Sequence, residues 1–540
     1  MSLKDPFHID LSTADLSDPE AIKAIFNHLC NLVEALHREN LALKEENQKL
    51  RDEINRLKGE KGRPDIKPKS STKKSQSFKK QKHKKKWKKR SKLDKIVIDK
   101  SKVVNYEGML PDDAQHKGYR SVVVQDIAIK TENIEFKLER YYSPSEAKTY
   151  EASLPDYIKG EFGASLKSWV LFWYFHSRIP ENRIHKMLSD IGIIISAGEI
   201  SNIIAKEGDR FHKEKKDITE AGIKSSSYQH IDDTGARVDG DNQHFTVLCN
   251  DYYSAYFINP KKNRLTIIGI LSQKEELFFM VNPFVISFLK ERKLKAEVIS
   301  SLKSLLKMGE MTQEKFEKEL DPAIPGLKDC HRTMILEAAA IAAYQESHDS
   351  PAIEQLVCDD AKQFYYITPS RALCWIHEER HYQKLTPFLA YHRKLVDCFR
   401  SKIWDYYYEL TEYKNNPNEE EKIRLSALFD EIFSTKTGYD QLDERIKLTK
   451  AKKDSLLVAL DYPDTPLHNN PAELALRMYV IKRKISFGTR TCEGTRSWET
   501  FFTIMDTCFK LGINFRDYLY DRISNQNKMP SLSSLIPSPP

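Results

Sequence analysis

Three acidic positions, far apart in the chain, have surroundings that could bring their carboxylates together. Asp232 lies in Tyr228-Gln-His-Ile-Asp-Asp-Thr, which leads into a segment of alternating apolar and polar residues. Asp359-Asp360 follows the apolar run Ile353–Cys358, and Glu473 falls in Asn469-Asn470-Pro-Ala-Glu, where Leu474, Leu476, Met478 and Val480 begin a helical pattern. Each carboxylate alone reads more readily as a surface or capping group. Together, an Asp on a strand, an Asp at a strand's C-terminal end and a Glu on a helix can converge on hard divalent cations, which take carboxylate oxygens.

Other residues near them in sequence have two readings each. Cys374 and His377, beside Trp375, either brace a functional helix or contact a nucleic-acid ligand, or else are a packed core Cys and a hydrogen-bonded His. Arg477 lies one turn beyond Glu473, so it shares that helix face and can pair with Glu473 or with a phosphate. Lys482, Arg483, Lys484, Arg490 and Arg496 follow as a basic cluster, either a solvated face or a phosphate clamp.

The elements that must position these groups can be read from patterning. Tyr228 onward, His244–Cys249 and Ala255–Ile258 are three short strands at hairpin spacing, an antiparallel meander with Asp232 on the first. Ile353–Cys358 is a further strand, and Asn469 caps a helix with Pro471 in its first turn. The stretches 274–345 and 382–452 read helical and are insertions decorating the sheet. Upstream, Ser165–His176 reads as a buried helix. Pro180 opens another, and Gly192 then separates it from a helix over Ala197–Ile204, the form of a helix-turn-helix. Alternation over Ser121–Tyr142 predicts two or three strands of a small β unit.

The N-terminus carries a different signal. Leu29, Leu36, Leu43, Leu50 and Leu57 recur every seven residues, with Phe26, Val33, Asn40, Asn47 and Ile54 three residues before them. That is an a/d seam, and Asn at two a positions suits a parallel pair of helices in fixed register. A helix packed on its own domain is the plainer alternative. From Lys61 to Lys95 there are 17 Lys/Arg against two Asp, so this stretch holds +15 while the whole chain nets +8. Such a segment, with Lys84, Lys85, Lys86, Lys88, Lys89 and Arg90 at its densest, is expected to be unfolded alone and to bind phosphates by counterion release.

At 540 residues and roughly 150 per domain, the chain is expected to hold three or four units. Hydrophobic residues at 40% support a folded chain. No apolar run approaches the roughly 20 residues needed to span a bilayer, and the polar N-terminus has no secretory core. The eight Cys are scattered without a CxxC pair, so the expectation is a cytoplasmic protein with neither a disulfide framework nor a zinc ribbon.

Asp232-Asp-Thr, Asp359-Asp-Ala, Cys374-Trp-Ile-His377 and Asn469-Asn-Pro-Ala-Glu473-Leu-Ala-Leu-Arg477 occur in an order that resembles the IS66 family of bacterial insertion-sequence transposases. The likeness continues through Lys482-Arg-Lys484, Gly488 and Glu493-Gly494 to about Tyr520. Asp232-Asp233 departs conservatively from the family's Asp-Glu. No Cys lies between Cys30 and Cys249, so the zinc module of many relatives is not carried over and no zinc is expected.

The resemblance implies an α/β chain with an RNase H-like mixed sheet of the DDE type. Asp232, Asp359 and Glu473 would hold two Mg²⁺, or Mn²⁺ in their place, for strand cleavage and strand transfer. Either member of Asp359-Asp360 can be the ligand, with Asp359 favoured. The implied partners are DNA, at the element's terminal inverted repeats and at the target, a second copy through the zipper, and accessory proteins of the same element; no membrane is involved.

The expected organisation is a coiled coil over 1–60, a basic linker over 61–95, a β-rich unit over 96–160 and a helix-turn-helix region over 161–222. A catalytic domain over 223–525 and a disordered tail over 526–540 complete it. The alternative is an oligomeric DNA-binding protein that has kept the core and lost catalysis.

Overall fold

A computed structural model of the chain describes residues 18–57, 96–105, 107–109, 114–127, 131–155, 160–274, 276–347 and 353–538. Contacts divide it into two units, residues 1–41 with 134–540, and residues 42–133. The basic stretch from Lys61, with Lys84, Lys85, Lys86, Lys88, Lys89 and Arg90, lies outside the described residues.

A five-stranded sheet forms the centre of the larger unit. Its strands are β1 (Tyr228–Val238), β2 (Asp241–Cys249), β3 (Ser254–Asn259), β4 (Gln355–Cys358) and β5 (Ser370–Leu373), in the spatial order β3-β2-β1-β4-β5. The first three strands run antiparallel, with Asp232 opposite Val247. β4 lies parallel to β1 with His230 opposite Val357, and β5 is parallel to β4. The tight turn between β1 and β2 is Asp239-Gly240, both at positive φ (49° and 87°), the backbone a two-residue hairpin requires.

Helices cover this sheet. In chain order they include α1 (Pro19–Leu57), α2 (Ala164–Leu171), α3 (Glu181–Asp190), α4 (Ala197–Lys206), α5 (His212–Lys224), α6 (Trp375–Gln383), α7 (Ala390–Asn415), α8 (Glu419–Ile432), α9 (Asp440–Lys450), α10 (Asn470–Ser486), α11 (Cys492–Lys510) and α12 (Phe515–Ile523). α10 packs on β1 and β2, where Tyr479 stacks on Phe245 at 3.6 Å. α11 covers edge strand β3. The N–H groups of Ser254, Tyr256 and Ile258 donate to Thr507 Oγ1 (3.4 Å), Thr503 Oγ1 (3.1 Å) and Glu499 Oε1 (2.6 Å). Outward N–H groups recur every two residues on a strand, about 6.6 Å, and side chains four apart on a helix rise about 6 Å, so the two ladders match. An otherwise open edge is thereby closed.

The expected insertions are helical. The one between β3 and β4 includes helices Arg264–Ser272, Pro283–Glu291 and Asp329–Glu346; the one between β5 and α10 comprises α6 through α9 with a core of its own. α3 and α4 meet across Gly192 at φ 82°, and the Ser196 hydroxyl accepts the Glu199 N–H at α4's start. The helix, glycine turn, helix order expected there is present.

α1 forms across the heptads, but one of its faces is occupied within the chain. Glu34 is buried and accepts the N–H groups of Phe388 (3.0 Å) and Leu389 (2.8 Å), at the N-terminus of α7. Asn31 Nδ2 donates to Gly438 O and its Oδ1 accepts the Asp440 N–H, at the start of α9. His37 stacks on Phe388 at 4.1 Å. The seam residues Phe26, Leu29, Val33, Leu36, Leu43, Leu50, Ile54 and Leu57 all remain exposed.

Two expectations are corrected. The residues described between Ser121 and Ile127 form no strand, and of the expected β unit the described residues show a single hairpin, Arg140–Ser143 with Lys148–Glu151. Val122, Val124, Ile127, Ile134 and Phe136 are exposed, so their alternation has no second layer to bury it. The C-terminal segment, expected to be a disordered tail over 526–540, is folded through 538: Leu532 and Ile536 are buried, and Asp521 accepts the N–H groups of Lys528 and Met529.

Candidate active site

The sheet and the helix on it carry the three acidic positions on neighbouring elements. Asp232 is on β1, Asp359 follows β4 immediately, and Glu473 is in the first turn of α10, which packs on β1. Burial pushes the Asp232 carboxyl up to about 7, and the negative charges of Asp359, Asp233 and Glu473 add to the rise; the Asp233 N–H it accepts (2.8 Å) works against it. The Asp359 carboxyl is likewise raised by burial, against the Ala361 N–H it accepts at 3.1 Å. These are carboxylates crowded in low dielectric, where the charged forms disfavour each other.

Asp360 is engaged elsewhere. Burial alone would raise it, but Lys452 (2.6 Å), the Tyr365 hydroxyl (2.5 Å) and Arg371 (3.3 Å) hold it below the ordinary range. Lys452 also reaches Glu378 at 3.1 Å, and buried Glu378 accepts from Thr449 and pairs with Arg445. Lys452 thus ties the end of the α9 segment both to α6 and to the residue after Asp359. Asp233, next to Asp232, pairs with Lys262 (3.2 Å) and accepts from Gln363 (2.9 Å).

Glu473 faces α6. Arg380 Nη1 and Nη2 lie 3.3 Å from Oε1 and Oε2 respectively, and His377 Nε2 lies 3.5 Å from Oε1. Arg477, for which the sequence offered either Glu473 or a phosphate as partner, is exposed. Among the described residues no three His, Cys, Asp or Glu side chains close into one metal-holding group. Asp359 and Glu473 lie close enough for their charges to act on Asp232, and Glu473 itself is engaged by the Arg380 guanidinium.

Asn469 and Cys374 link the two halves of the site from behind. Asn469 is buried; its Nδ2 donates to Ile231 O (2.9 Å), its Oδ1 lies 2.9 Å from His230 Nδ1, and its N–H donates to Cys374 Sγ (3.2 Å). The expected cap is therefore at the right residue, but its side chain bonds to β1 instead of to its own helix. Asn470 is exposed at the first position of α10. Cys374 is a packed core residue, whereas His377 turns toward Glu473.

Of the basic cluster, Lys484, Arg490 and Arg496 are exposed and Arg483 is half-buried. Lys482 departs from the expectation of a phosphate contact. It is fully buried, its Nζ 3.3 Å from the Tyr174 ring centroid and 5.9 Å from that of Trp498, and burial pushes its pKa down to about 7. Position 482 continues the buried stripe Ala472, Ala475, Leu476, Tyr479 at helical spacing, a signal already present in the sequence. Arg380, which the sequence reading missed, had one too: it follows His377 by three residues on one helix face.

A mixed sheet with one acidic residue within a strand, another just past the end of the parallel strand beside it, and a third on a packed helix defines an α/β protein with a carboxylate cluster. Comparison with known sequences assigns it further. The profile of the Transposase IS66 family matches residues 159–280 and 342–497, and the chain belongs to that family. It is also 32% identical over 303 residues to the uncharacterized protein y4jO of Sinorhizobium fredii, covering 56% of this chain and 94% of the relative. Among the described residues no helix is long and apolar enough to cross a membrane.

Proposed function

We propose that this chain is a DDE-type transposase that cuts DNA at the ends of an insertion sequence and joins the freed strands to target DNA. Asp232, Asp359 and Glu473 hold the divalent cations on an RNase H-like sheet. One observation carries the reading: Asp359 and Glu473, 127 and 241 residues beyond Asp232 in sequence, lie close enough for their charges to raise its carboxyl. The three antiparallel strands leading into two parallel ones support the fold assignment. Asp359 is preferred over Asp360, whose oxygens are taken by Lys452, Tyr365 and Arg371.

Two Mg²⁺ ions bound there, or Mn²⁺ in their place, would activate a water or a DNA 3′-hydroxyl and stabilise the leaving oxygen of an in-line displacement. The chain's own residues do the positioning. Asn469 fixes α10, and so Glu473, to β1, while Lys452 holds Asp360 aside so that Asp359 keeps its orientation. Exposed Arg477, Lys484, Arg490 and Arg496 are free to meet a phosphate backbone, and the Lys61–Lys95 stretch adds affinity without sequence choice. α3 and α4 supply the element-end contact. The exposed seam of α1 pairs with a second copy, because a row of apolar a/d residues with Asn40 and Asn47 at a positions suits a two-stranded partner.

The test is metal-dependent nicking of a duplex carrying the inverted repeats that flank the gene. Asp232→Asn, Asp359→Asn and Glu473→Gln are expected to bind this duplex and to lose cutting by about a hundredfold or more, while Asp360→Asn keeps a larger share. Undiminished cutting by Asp232→Asn would sink the assignment. Binding without cutting at any Mg²⁺ or Mn²⁺ concentration would instead mark a DNA-binding protein that has lost catalysis.

A further inference from the structure

Glu473 carries a counter-ion supplied by the chain itself. The Arg380 guanidinium meets both carboxylate oxygens at 3.3 Å, and His377 Nε2 stands 3.2 Å from Arg380 Nη1 and 3.5 Å from Glu473 Oε1. The pair joins two helices, α6 and α10, across the mouth of the acidic site, where the Arg380 side chain is 41% exposed and that of Glu473 23%. The fork engages both oxygens of Glu473, one N–H on each. At 3.3 Å its bonds are also longer than the 2.7–2.9 Å of a strong charge-assisted contact.

The neighbouring cations are fastened differently. Lys452 is held by two acids, at 2.6 and 3.1 Å, and Arg371 lies between Asp360 and the ring of Tyr365, 3.6 Å from its centroid. Among the described residues the Arg380 guanidinium has side-chain bonds to Glu473 and His377 alone. Its departure from Glu473 breaks no contact with a second acid, only the one with His377.

Resting on the transposase reading above, we propose that Arg380 is an exchangeable counter-ion. It neutralises and holds Glu473 until a divalent cation takes the carboxylate, and its guanidinium then turns to a DNA phosphate oxygen beside the acidic residues. The exchange is a competition for one carboxylate, so removing Arg380 strengthens cation binding in the absence of DNA. It also removes a phosphate contact that exists only once the cation is in place.

The full-length chain without DNA, titrated with Mn²⁺ and followed by electron paramagnetic resonance, tests the first half. Arg380→Gln is expected to tighten Mn²⁺ binding by about twofold to fivefold, the worth of one partly exposed pair. Arg380→Lys, which keeps the charge and loses the fork, is expected to show a smaller gain and covers the case in which the glutamine variant does not fold. In a Glu473→Gln background the same Arg380 change is expected to give no gain, since the competed carboxylate is gone. A gain that persists there, or no gain in either single Arg380 variant, overturns the exchange.

For the second half, Arg380→Gln is expected to weaken binding of a short duplex with Mn²⁺ present and not with a chelator. Equal weakening in both conditions overturns the phosphate role. If Asp232→Asn leaves Mn²⁺ affinity unchanged, the carboxylate site itself is wrong, which is separable from any result at Arg380.

Discussion

Asn469 Oδ1 lies 2.9 Å from His230 Nδ1, joining the residue before α10 to the strand that carries Asp232. With the bond from Asn469 Nδ2 to Ile231 O, this buried amide fixes the register between Glu473 and Asp232. Burial pushes His230 down to about 4, so the ring is neutral at pH 7. Asn469→Ala is expected to cost about 2–4 kcal/mol, because it orphans a backbone carbonyl, an imidazole nitrogen and their packing. Denaturant unfolding measures that loss. A cost under about 0.5 kcal/mol would mean that α10 is held by its apolar face alone.

Glu34 performs a second cross-element task. α7 has no side-chain cap of its own at Leu389, and Glu34 from α1 accepts the two N–H groups there and faces His392 Nδ1 at 3.3 Å. Burial acts to raise this carboxyl, yet the Leu389 and Phe388 N–H groups and His392 bring it below the ordinary range. Its contribution is therefore present above the unfolded pKa and is lost as pH falls through the lower, folded one. Glu34→Gln is expected to weaken docking of α1 by about 1–3 kcal/mol. Hydrogen exchange at residues 26–38 should speed up correspondingly, while exchange in β1 stays unchanged. Slow exchange retained in α1 would show that the apolar contacts of Cys30 and Phe26 suffice.

What the sequence made legible depends on whether one element or several decide the outcome. Asp232 on a strand and Glu473 at a helix start follow from local alternation and helix-start residues, and Asp239-Gly240 marks its own hairpin. The pairing of β4 beside β1 does not follow from either strand, since apolar runs such as Leu356-Val357 carry no register signal. Lys452 reaching Asp360 depends on how the α9 segment folds back on α6, which no local pattern encodes. The heptads of α1 correctly marked a helix with an apolar seam, but not that Asn31 and Glu34, on another face, would cap two helices of an insertion some 350 to 410 residues away.

Glu214 gives a pH signature remote from the carboxylate site. Burial pushes it up to about 7, against the pull of Arg522, and the Tyr518 hydroxyl donates to it. A carboxyl raised in the folded state gives stability that is full below the unfolded pKa and is lost as pH rises through 7. Glu214→Gln keeps an acceptor for Tyr518 and removes the titration. It is expected to be more stable than the parent by about 1–2 kcal/mol at pH 8, with the advantage gone near pH 4.5, the linkage of a shift of this size discounted for partial exposure. Thermal unfolding of both proteins across that range checks it. A difference independent of pH would show that Glu214 is ionised throughout.

The ladder between α11 and β3 makes the last prediction. Thr503 and Thr507 each present a hydroxyl to an edge-strand N–H, and Thr503 also bonds back to Glu499 O at 2.8 Å. Valine has the same shape without the oxygen, so Thr503→Val leaves the packing in place and the Tyr256 N–H without a partner. Because Tyr256 is fully buried, water cannot replace the bond, and the expected cost is about 1–3 kcal/mol. Thr507→Val is expected to cost less, since its 3.4 Å contact to Ser254 is longer. The two changes are close enough to couple, so the double variant should depart from additivity. Amide exchange at Tyr256 and Ser254 localises the effect. If both amides remain as protected as in the parent, the edge of β3 is shielded by apolar contact, and the matched spacing of strand and helix contributes little.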